Sequence, residues 1–420
     1  MGFHPLDDPY PWDTLAPVVE AARSHPRGLV DLSIGTPVDP TPDVVRDALA
    51  AASDAHGYPT THGTPALREA VAGWFARTRG VPDVEPDAVL PTVGSKELVG
   101  LLPSLLGLGP GDVVVHPATA YPTYDVGARL AGASPLATDD VEAWAGRADV
   151  KLVWVNSPGN PTGRVASVEE LRRVVEAARE IGAVVASDEC YALLPWSEPW
   201  ASQGVPSILD PRVSGGSHEG LLAAYSLSKQ SNLAGYRAAF VAGDPALVGS
   251  LLATRKHLGM IVPAPVQAAM VAALDDDAHV VGQRETYRRR RRLLEGGLMA
   301  AGYRIDDSEA GLYLWARPAA APGGDVQDCW QTVHDLAGLG ILVGPGAFYG
   351  AAGLSHVRVA LTASDERVAE AAARLSGSDA PAVSAWCAAE GACRRACDAG
   401  HIPMCRSGVG SGLVTTESGA

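Results

Sequence analysis

Two hydroxyls stand just before a lysine, and an arginine eight residues after it, in the twelve residues Ser226-Leu-Ser228-Lys229-Gln-Ser-Asn-Leu-Ala-Gly-Tyr-Arg237. They follow the apolar run Leu221 to Tyr225, so the lysine stands just past an expected strand. A lysine amine condenses with an aldehyde, and flanking hydroxyls with a guanidinium hold a phosphate by charge-assisted hydrogen bonds. The segment therefore suits an aldehyde cofactor that carries a phosphate. Gly235 is expected to turn the backbone so that Arg237 faces the same group. Candidates for the amine are few: Lys96, Lys151, Lys229 and Lys256 are the lysines of the chain, against twenty-nine arginines. Ser-x-Ser-Lys alone equally describes a surface lysine after a strand, so the other motifs must decide.

Three of them end apolar runs in the same manner. Asp188-Glu-Cys-Tyr191 closes Ala183 to Ser187, where an aspartate can pair with a protonated pyridine nitrogen or simply cap the next turn. Asn156-Ser-Pro-Gly-Asn160-Pro-Thr-Gly163 has two Pro and two Gly in eight residues, a rigid turn that can aim the Asn160 amide at a phenolic ring oxygen. Tyr191 offers a second donor to that oxygen. Gly94-Ser95-Lys96-Glu97 follows Ala88 to Val93 and opens a helix through Leu106, and free backbone amides at a helix start bind phosphate. Tyr121, in Ala120-Tyr-Pro-Thr-Tyr124, can stack on a ring or sit in a core. Arg358 presents a fork that matches a carboxylate, or a surface ion pair.

These residues need a frame, and the middle of the chain supplies one. Short β-rich runs at Asp112 to His116, Lys151 to Asn156, Ala183 to Asp188, Leu221 to Tyr225 and Ala238 to Ala242 alternate with helical periods. That is the pattern of a mostly parallel sheet flanked by helices, an α/β domain that gathers ligands at its strands' carboxyl ends. Ser167-Val-Glu-Glu170 predicts a capping box ahead of a helix, and Thr64-Pro65 opens another. After Val262-Pro-Ala-Pro265 the pattern changes. A long basic helix (Glu285 to Met299) precedes short strands at Gly311 to Ala316, Ile341 to Gly344 and His356 to Ala360, then a helix from Ser364 to Leu375. The expected division is residues 1–40 packing with the small domain, 41–262 as the large cofactor-binding domain, 263–376 as a smaller α+β domain, and 377–420 as an appended tail.

Composition narrows the partners. A formal charge of −15 leaves no broad basic face for nucleic acid. The basic run Arg288 to Arg292 reads as a solvated or salt-bridged helix face. No run of apolar residues is long enough to span a membrane, and the acidic first residues carry no hydrophobic signal, so a cytoplasmic location is expected. Cys190 and Cys329 stand apart, as reduced thiols do. Cys387, Cys393, Cys397 and Cys405 crowd the tail with a spacing unlike a structural zinc knuckle, and no metal is expected.

The order Gly94-Ser-Lys, Tyr121, Asn160-Pro-Thr-Gly, Asp188-x-x-Tyr191, Ser226-x-Ser-Lys229, Arg237 and Arg358 resembles the class I/II aminotransferases, the fold-type I pyridoxal-phosphate enzymes. The resemblance covers roughly residues 5–375. It implies pyridoxal 5′-phosphate as cofactor, with Lys229 as the Schiff-base lysine and the base that moves the substrate's Cα proton. It places Asp188 at the pyridine nitrogen, Asn160 and Tyr191 at the ring oxygen, and Tyr121 against the ring. Gly94, Ser95 and Lys96 with Ser226, Ser228 and Arg237 would bind phosphate. Arg358, aided by the backbone near Gly35 and by Asn160, would hold the substrate carboxylate. Tyr58, in Gly57-Tyr-Pro-Thr, matches the family's tyrosine that reaches a neighbouring subunit's phosphate, which implies a homodimer with shared active sites.

Within that family, Pro11-Trp-Asp-Thr-Leu-Ala-Pro17, Val30 to Asp39, Gly57 to Thr61 and Gly344-Pro-Gly-Ala-Phe-Tyr349 resemble the actinobacterial N-succinyldiaminopimelate aminotransferases. That implies amino transfer between glutamate and N-succinyl-2-amino-6-oxopimelate. Such a substrate needs further cations for its distal groups, for which Arg255, Lys256, His257, His62 and Lys96 are candidates. Two alternatives remain open: a relative acting on another amino acid and keto acid pair, and a cofactor-binding regulator. Regulators of this kind carry a DNA-binding domain ahead of the aminotransferase-like part, whereas the resemblance here begins within the first dozen residues.

Overall fold

Alternation of small and branched apolar residues lets each central strand feed two cores at once. Leu221, Ala223 and Tyr225 turn to one face of the large sheet, and Leu222 and Ala224 to the other. Val153 and Val185 join the first face, and Leu152, Trp154 and Ala186 the second. Such double burial is what a mostly parallel sheet covered by helices requires. The computed structural model describes residues 10–319 and 328–377. The acidic first residues and the four tail cysteines, with the readings attached to them, lie outside the described residues.

In chain order the strands are β1 (Val30–Asp31), β2 (Val89–Val93), β3 (Val113–His116), β4 (Ser134–Ala137), β5 (Val150–Asn156), β6 (Val184–Asp188), β7 (Leu221–Ser226) and β8 (Ala238–Gly243). They continue with β9 (Tyr303–Asp306), β10 (Tyr313–Pro318), β11 (Ile341–Leu342), β12 (Gly344–Pro345) and β13 (Val357–Ala360). Seven form one sheet in the order β2-β8-β7-β6-β5-β3-β4. All its pairings are parallel except those of β8, which runs against both β2 and β7. The expected α/β class and mixed sheet are therefore observed. The reversed strand brings its first residue to the carboxyl ends of its neighbours: Ala238 pairs with Val93, and Ala239 with Ser226.

Local signals act as their chemistry dictates. Ser167 and Glu170 close a reciprocal capping box on the helix Val168–Ile181, worth about 1 kcal/mol. Thr64 caps Pro65–Trp74, whose Leu67, Val71 and Trp74 are buried. The edge strand β4, half exposed and carrying a proline, has no strong β pattern and was not expected from sequence.

A second core gathers the N-terminal helix Ala16–Arg23, the helix Cys329–Gly338 and the antiparallel sheet β12-β13-β10-β9. β1 pairs with β11, tying the N-terminal segment to this part of the chain. The basic helix spans Asp277–Ala300, longer than its sequence pattern predicts. Its run is salt-bridged as anticipated, but Arg290 is buried rather than superficial. It donates to Asp39 at 2.7 Å and to Asp365 at 2.6 Å. The segment after β6 crosses between the two cores: Cys190, Tyr191 and Leu194 pack with the second, and Trp196 Nε1 donates to Gly311 O at 2.7 Å.

Candidate active site

The carboxyl ends of β2, β5, β6 and β7 and the first residue before β8 converge on a cleft of about 330 Å3. Ser95, Lys96, Tyr121, Asn160, Asp188, Tyr191, Ser226, Ser228, Lys229, Arg237, Gly35 and Arg358 all border it. Gly94 joins them through its contact with Arg237. Tyr58 does not: it is fully exposed, away from the cleft of its own subunit.

Lys229 sits in the short helix Leu227–Gln230 after β7, and its ammonium donates to the Gly35 carbonyl. The helix is held open to the cleft by Ser226, whose Oγ accepts from Ser228 N at 3.2 Å and lies 2.8 Å from Ser228 Oγ. The two hydroxyls thus stand side by side. Arg237 adopts a left-handed backbone, φ 56°, and this residue makes the turn assigned to Gly235, whose φ is not positive. Asn232, also left-handed, bends the chain earlier in the same loop.

Asp188 ends β6 in register with Asn156 at the end of β5. One carboxylate oxygen accepts from Tyr124 Oη at 2.9 Å and the other from Cys190 N at 3.2 Å. Burial, with Asp188 alongside, pushes the Tyr124 phenol well up, so Tyr124 stays a donor. The Cys190 thiol is pushed up for the same reasons and is inert. Asn160 is fixed from behind: its backbone N–H donates to Asn156 Oδ1 at 2.8 Å, and Asn156 Nδ2 donates to Asp188 O at 3.0 Å. Its own Oδ1 accepts from Arg358 Nη1 at 3.0 Å, which leaves the amide N–H groups for another acceptor.

Arg358 lies on β13 and is 2% exposed. Nη2 donates to Ser33 O at 2.7 Å, while Nε has no partner among the described residues. Among the described residues no carboxylate pairs with it, and a buried guanidinium left so is costly unless an anion arrives. Tyr121 closes the outer wall with Trp12, ring centroids 5.6 Å apart, and its hydroxyl is 3.2 Å from Lys96 Nζ. Burial raises the Tyr121 phenol.

Whether these residues fit a phosphorylated pyridine aldehyde is tested by Gly94. It precedes the helix Ser95–Leu105 with φ 79°, and a Cβ there would lie 2.1 Å from Arg237 Nη2. A side chain at residue 94 would fill the space where the Arg237 guanidinium meets the start of the helix. An anion cradle, a lysine, a strand-ending carboxylate and an outward-facing amide therefore occur together, and they fit the group.

Two residues near these groups escaped sequence reasoning. Tyr124 was visible in its motif, but a buried tyrosine two turns from a strand reads as core. Tyr313 sits in the apolar run of β10 with no motif around it. Of the candidate distal cations, only Lys96 borders the cleft. Arg255 is fully buried and bound to Glu97 at 2.6 Å, so it is a structural cation. His62, Lys256 and His257 lie outside the cleft of their own subunit.

A family model described as aminotransferase class I and II matches residues 27–375. The chain is 58% identical over 367 residues to the 4-dedimethylamino-4-oxo-anhydrotetracycline transaminase OxyQ of Streptomyces rimosus, covering 87% of this chain and 98% of that protein. It is 55% identical over 368 residues to the probable aminotransferase Rv1178 of Mycobacterium tuberculosis, covering 87% and 85% respectively. Among solved structures, an aminotransferase from Neisseria meningitidis superposes with a TM-score of 0.78 at 31% identity, covering 88% of this chain and 97% of that one.

Proposed function

The chain belongs to the class I and II aminotransferases, which depend on pyridoxal phosphate, and from that premise we propose that it moves an amino group between glutamate and N-succinyl-2-amino-6-oxopimelate. The observation that carries the reaction is the convergence of Lys229, Asp188 and Arg358 on one cleft.

When bound, the cofactor supplies an aldehyde to take up the amine and an electron-poor ring to delocalise charge from Cα. The protein's part is positioning and proton movement. Lys229, released from Gly35, is the base for the substrate Cα proton. Asp188 keeps a proton on the ring nitrogen, and the Tyr124 and Cys190 donors keep Asp188 in place. Asn160 and Tyr191 donate to the ring oxygen, and Tyr121 covers one face. Ser226, Ser228, Arg237 and the Gly94–Lys96 amides hold the phosphate. Arg358 receives the substrate α-carboxylate, which supplies the anion that a buried guanidinium needs. Tyr58, being exposed, serves the phosphate site of a second subunit in a homodimer.

The acceptor rests on the four resembling segments and on Lys96, the cation at the cleft's rim that suits a distal carboxylate. A second acceptor, a fused-ring ketone, is favoured by the similarity to the Streptomyces transaminase and by the aromatic wall. Tyr10, Trp12, Tyr121, Phe348 and Tyr349 border a further, largely apolar cavity of about 730 Å3 beside the cleft. The deciding measurement is glutamate-driven turnover on a panel containing the succinylated aldehyde, simple keto acids and a fused-ring ketone. Preference for the succinylated aldehyde supports the first acceptor. Preference for the ketone replaces it with the second, and equal rates with simple keto acids remove both.

A further inference from the structure

Tyr313 has no part in the reading above, yet it touches three groups that do. It lies on β10, 4% exposed, and two pairs along from Arg358: Trp315 stands opposite Arg358, so Tyr313 is its diagonal neighbour on the same face. Its ring centroid is 4.1 Å from the Arg358 guanidinium carbon. Its hydroxyl is 3.3 Å from that of Tyr191. The same hydroxyl presses on Gly35, where a Cβ would stand 2.2 Å from it, and the Gly35 carbonyl is what receives the Lys229 ammonium. Ring, hydroxyl and close approach thus bind the carboxylate clamp, the ring-oxygen donor and the catalytic amine to one side chain.

Two phenols in contact must divide the roles of donor and acceptor. Several groups face Tyr313: Arg358 from β13, Lys229 from the turn after β7, Tyr191 from the segment after β6, and the phenols of Tyr121, Tyr287 and Tyr349. Burial works to raise the Tyr313 phenol, but the cations Arg358 and Lys229 outweigh it and hold it below the usual range. Burial, with Tyr313 opposite, pushes Tyr191 well up. At 3.3 Å either hydroxyl can donate to the other, so the pair is one hydrogen bond whose strength both phenols set. Tyr191 also borders the cleft, where the ring oxygen belongs.

We infer that Tyr313 is a positioning residue that couples the carboxylate clamp at Arg358 to the ring-oxygen donor at Tyr191. An anion docked on Arg358 cancels part of the positive field over the Tyr313 ring. The Tyr313–Tyr191 hydrogen bond responds to that change, and with it the bond that Tyr191 makes to the ring oxygen. Occupancy of the carboxylate site is thereby felt at the ring oxygen by a route beside the one through Asn160, whose Oδ1 also accepts from Arg358. The inference rests on the proposed roles of Arg358 and Tyr191.

The test uses the cofactor-loaded protein, titrated with pH by its visible absorbance with and without saturating glutarate, a dicarboxylate that has no amine to transfer. In the unmodified protein glutarate should shift the midpoint, and no shift there overturns the coupling. Tyr313→Phe keeps the ring and removes only the hydroxyl. It should bind glutarate within about threefold of the parent, while the glutarate-induced shift falls to about half or less. An unchanged shift in Tyr313→Phe overturns the coupling. Tyr191→Phe should abolish the same portion of the shift, with the double variant no different from Tyr191→Phe alone, and additive losses overturn the route through Tyr191. Arg358→Ala separates the two levels: undiminished glutarate binding there sinks the carboxylate role itself rather than the coupling.

Discussion

Arg237 occupies the space that a side chain on Gly94 would need. The two residues lie far apart in sequence but at the same end of the antiparallel β2–β8 pair, and a Cβ on residue 94 would come within 2.1 Å of the guanidinium. Glycine at residue 94 is therefore a requirement of the arginine as much as of the turn. Gly94→Ala should strain a backbone at φ 79° and push the guanidinium aside, weakening cofactor affinity about tenfold or more. Equilibrium dialysis of the cofactor measures this, and unchanged affinity would show that Arg237 is not part of the cradle.

Lys229→Ala should leave a folded protein that binds cofactor without the visible absorbance of the lysine-bound form. Turnover should fall by about a thousandfold or more, since the variant lacks both the attachment point and the base. Spectra and single-turnover rates with glutamate check the two losses separately. Full activity in this variant would remove the assignment.

Tyr124→Phe deletes the hydroxyl that donates to Asp188 at 2.9 Å and little else. A hydrogen bond to a charged group contributes about 1.5–3 kcal/mol, so turnover should drop roughly ten- to a hundredfold. The melting temperature should move little, because the ring still packs against Trp154. A large loss of stability with normal turnover would mean that Tyr124 serves the core alone.

Asp39 ties the N-terminal segment to the basic helix through Arg290 and Gln283. Burial works to raise its carboxyl, but the hydrogen bonds from Arg290 and Gln283 outweigh that and hold it below the ordinary range. With the folded-state value depressed, the unfolded chain binds the proton more readily. The resulting stability is present above about pH 4 and fades as pH falls through the folded-state value. Asp39→Asn should cost about 1–3 kcal/mol at neutral pH, and the gap to the parent should close in acid. Melts at pH 7 and near pH 3 decide it; a gap independent of pH would place the stabilisation elsewhere.

The groups most legible in the sequence are those that end strands. Asn156 and Asp188 close neighbouring strands in register, so their motifs point to one edge of the sheet before any coordinates exist. Ser226, Ser228 and Lys229 are legible for the same reason. Pairings across long stretches of chain were not. Arg255, in an Arg-Lys-His run at a helix end, reads as a candidate for a substrate's distal groups, yet Glu97 holds it in the interior. Arg290 reads as one of five surface arginines, and Asp39 and Asp365 bury it. Tyr313 was hidden because its alternation with Leu314 and Trp315 is what any buried strand shows. What it touches depends on the strand opposite and on the crossing segment after β6.

The reversed direction of β8 also bears on how the protein is made. β2 joins the sheet only through β8, so during synthesis the strand Val89–Val93 has no partner until the chain beyond Ala238 has emerged. The same late event brings Arg237 to Gly94. The capacity to capture a phosphate therefore appears only when the last seam of the sheet is sewn. A ligand that needs the proposed cradle recognises the finished protein and not its incomplete forms, so added cofactor should favour the completed fold by mass action.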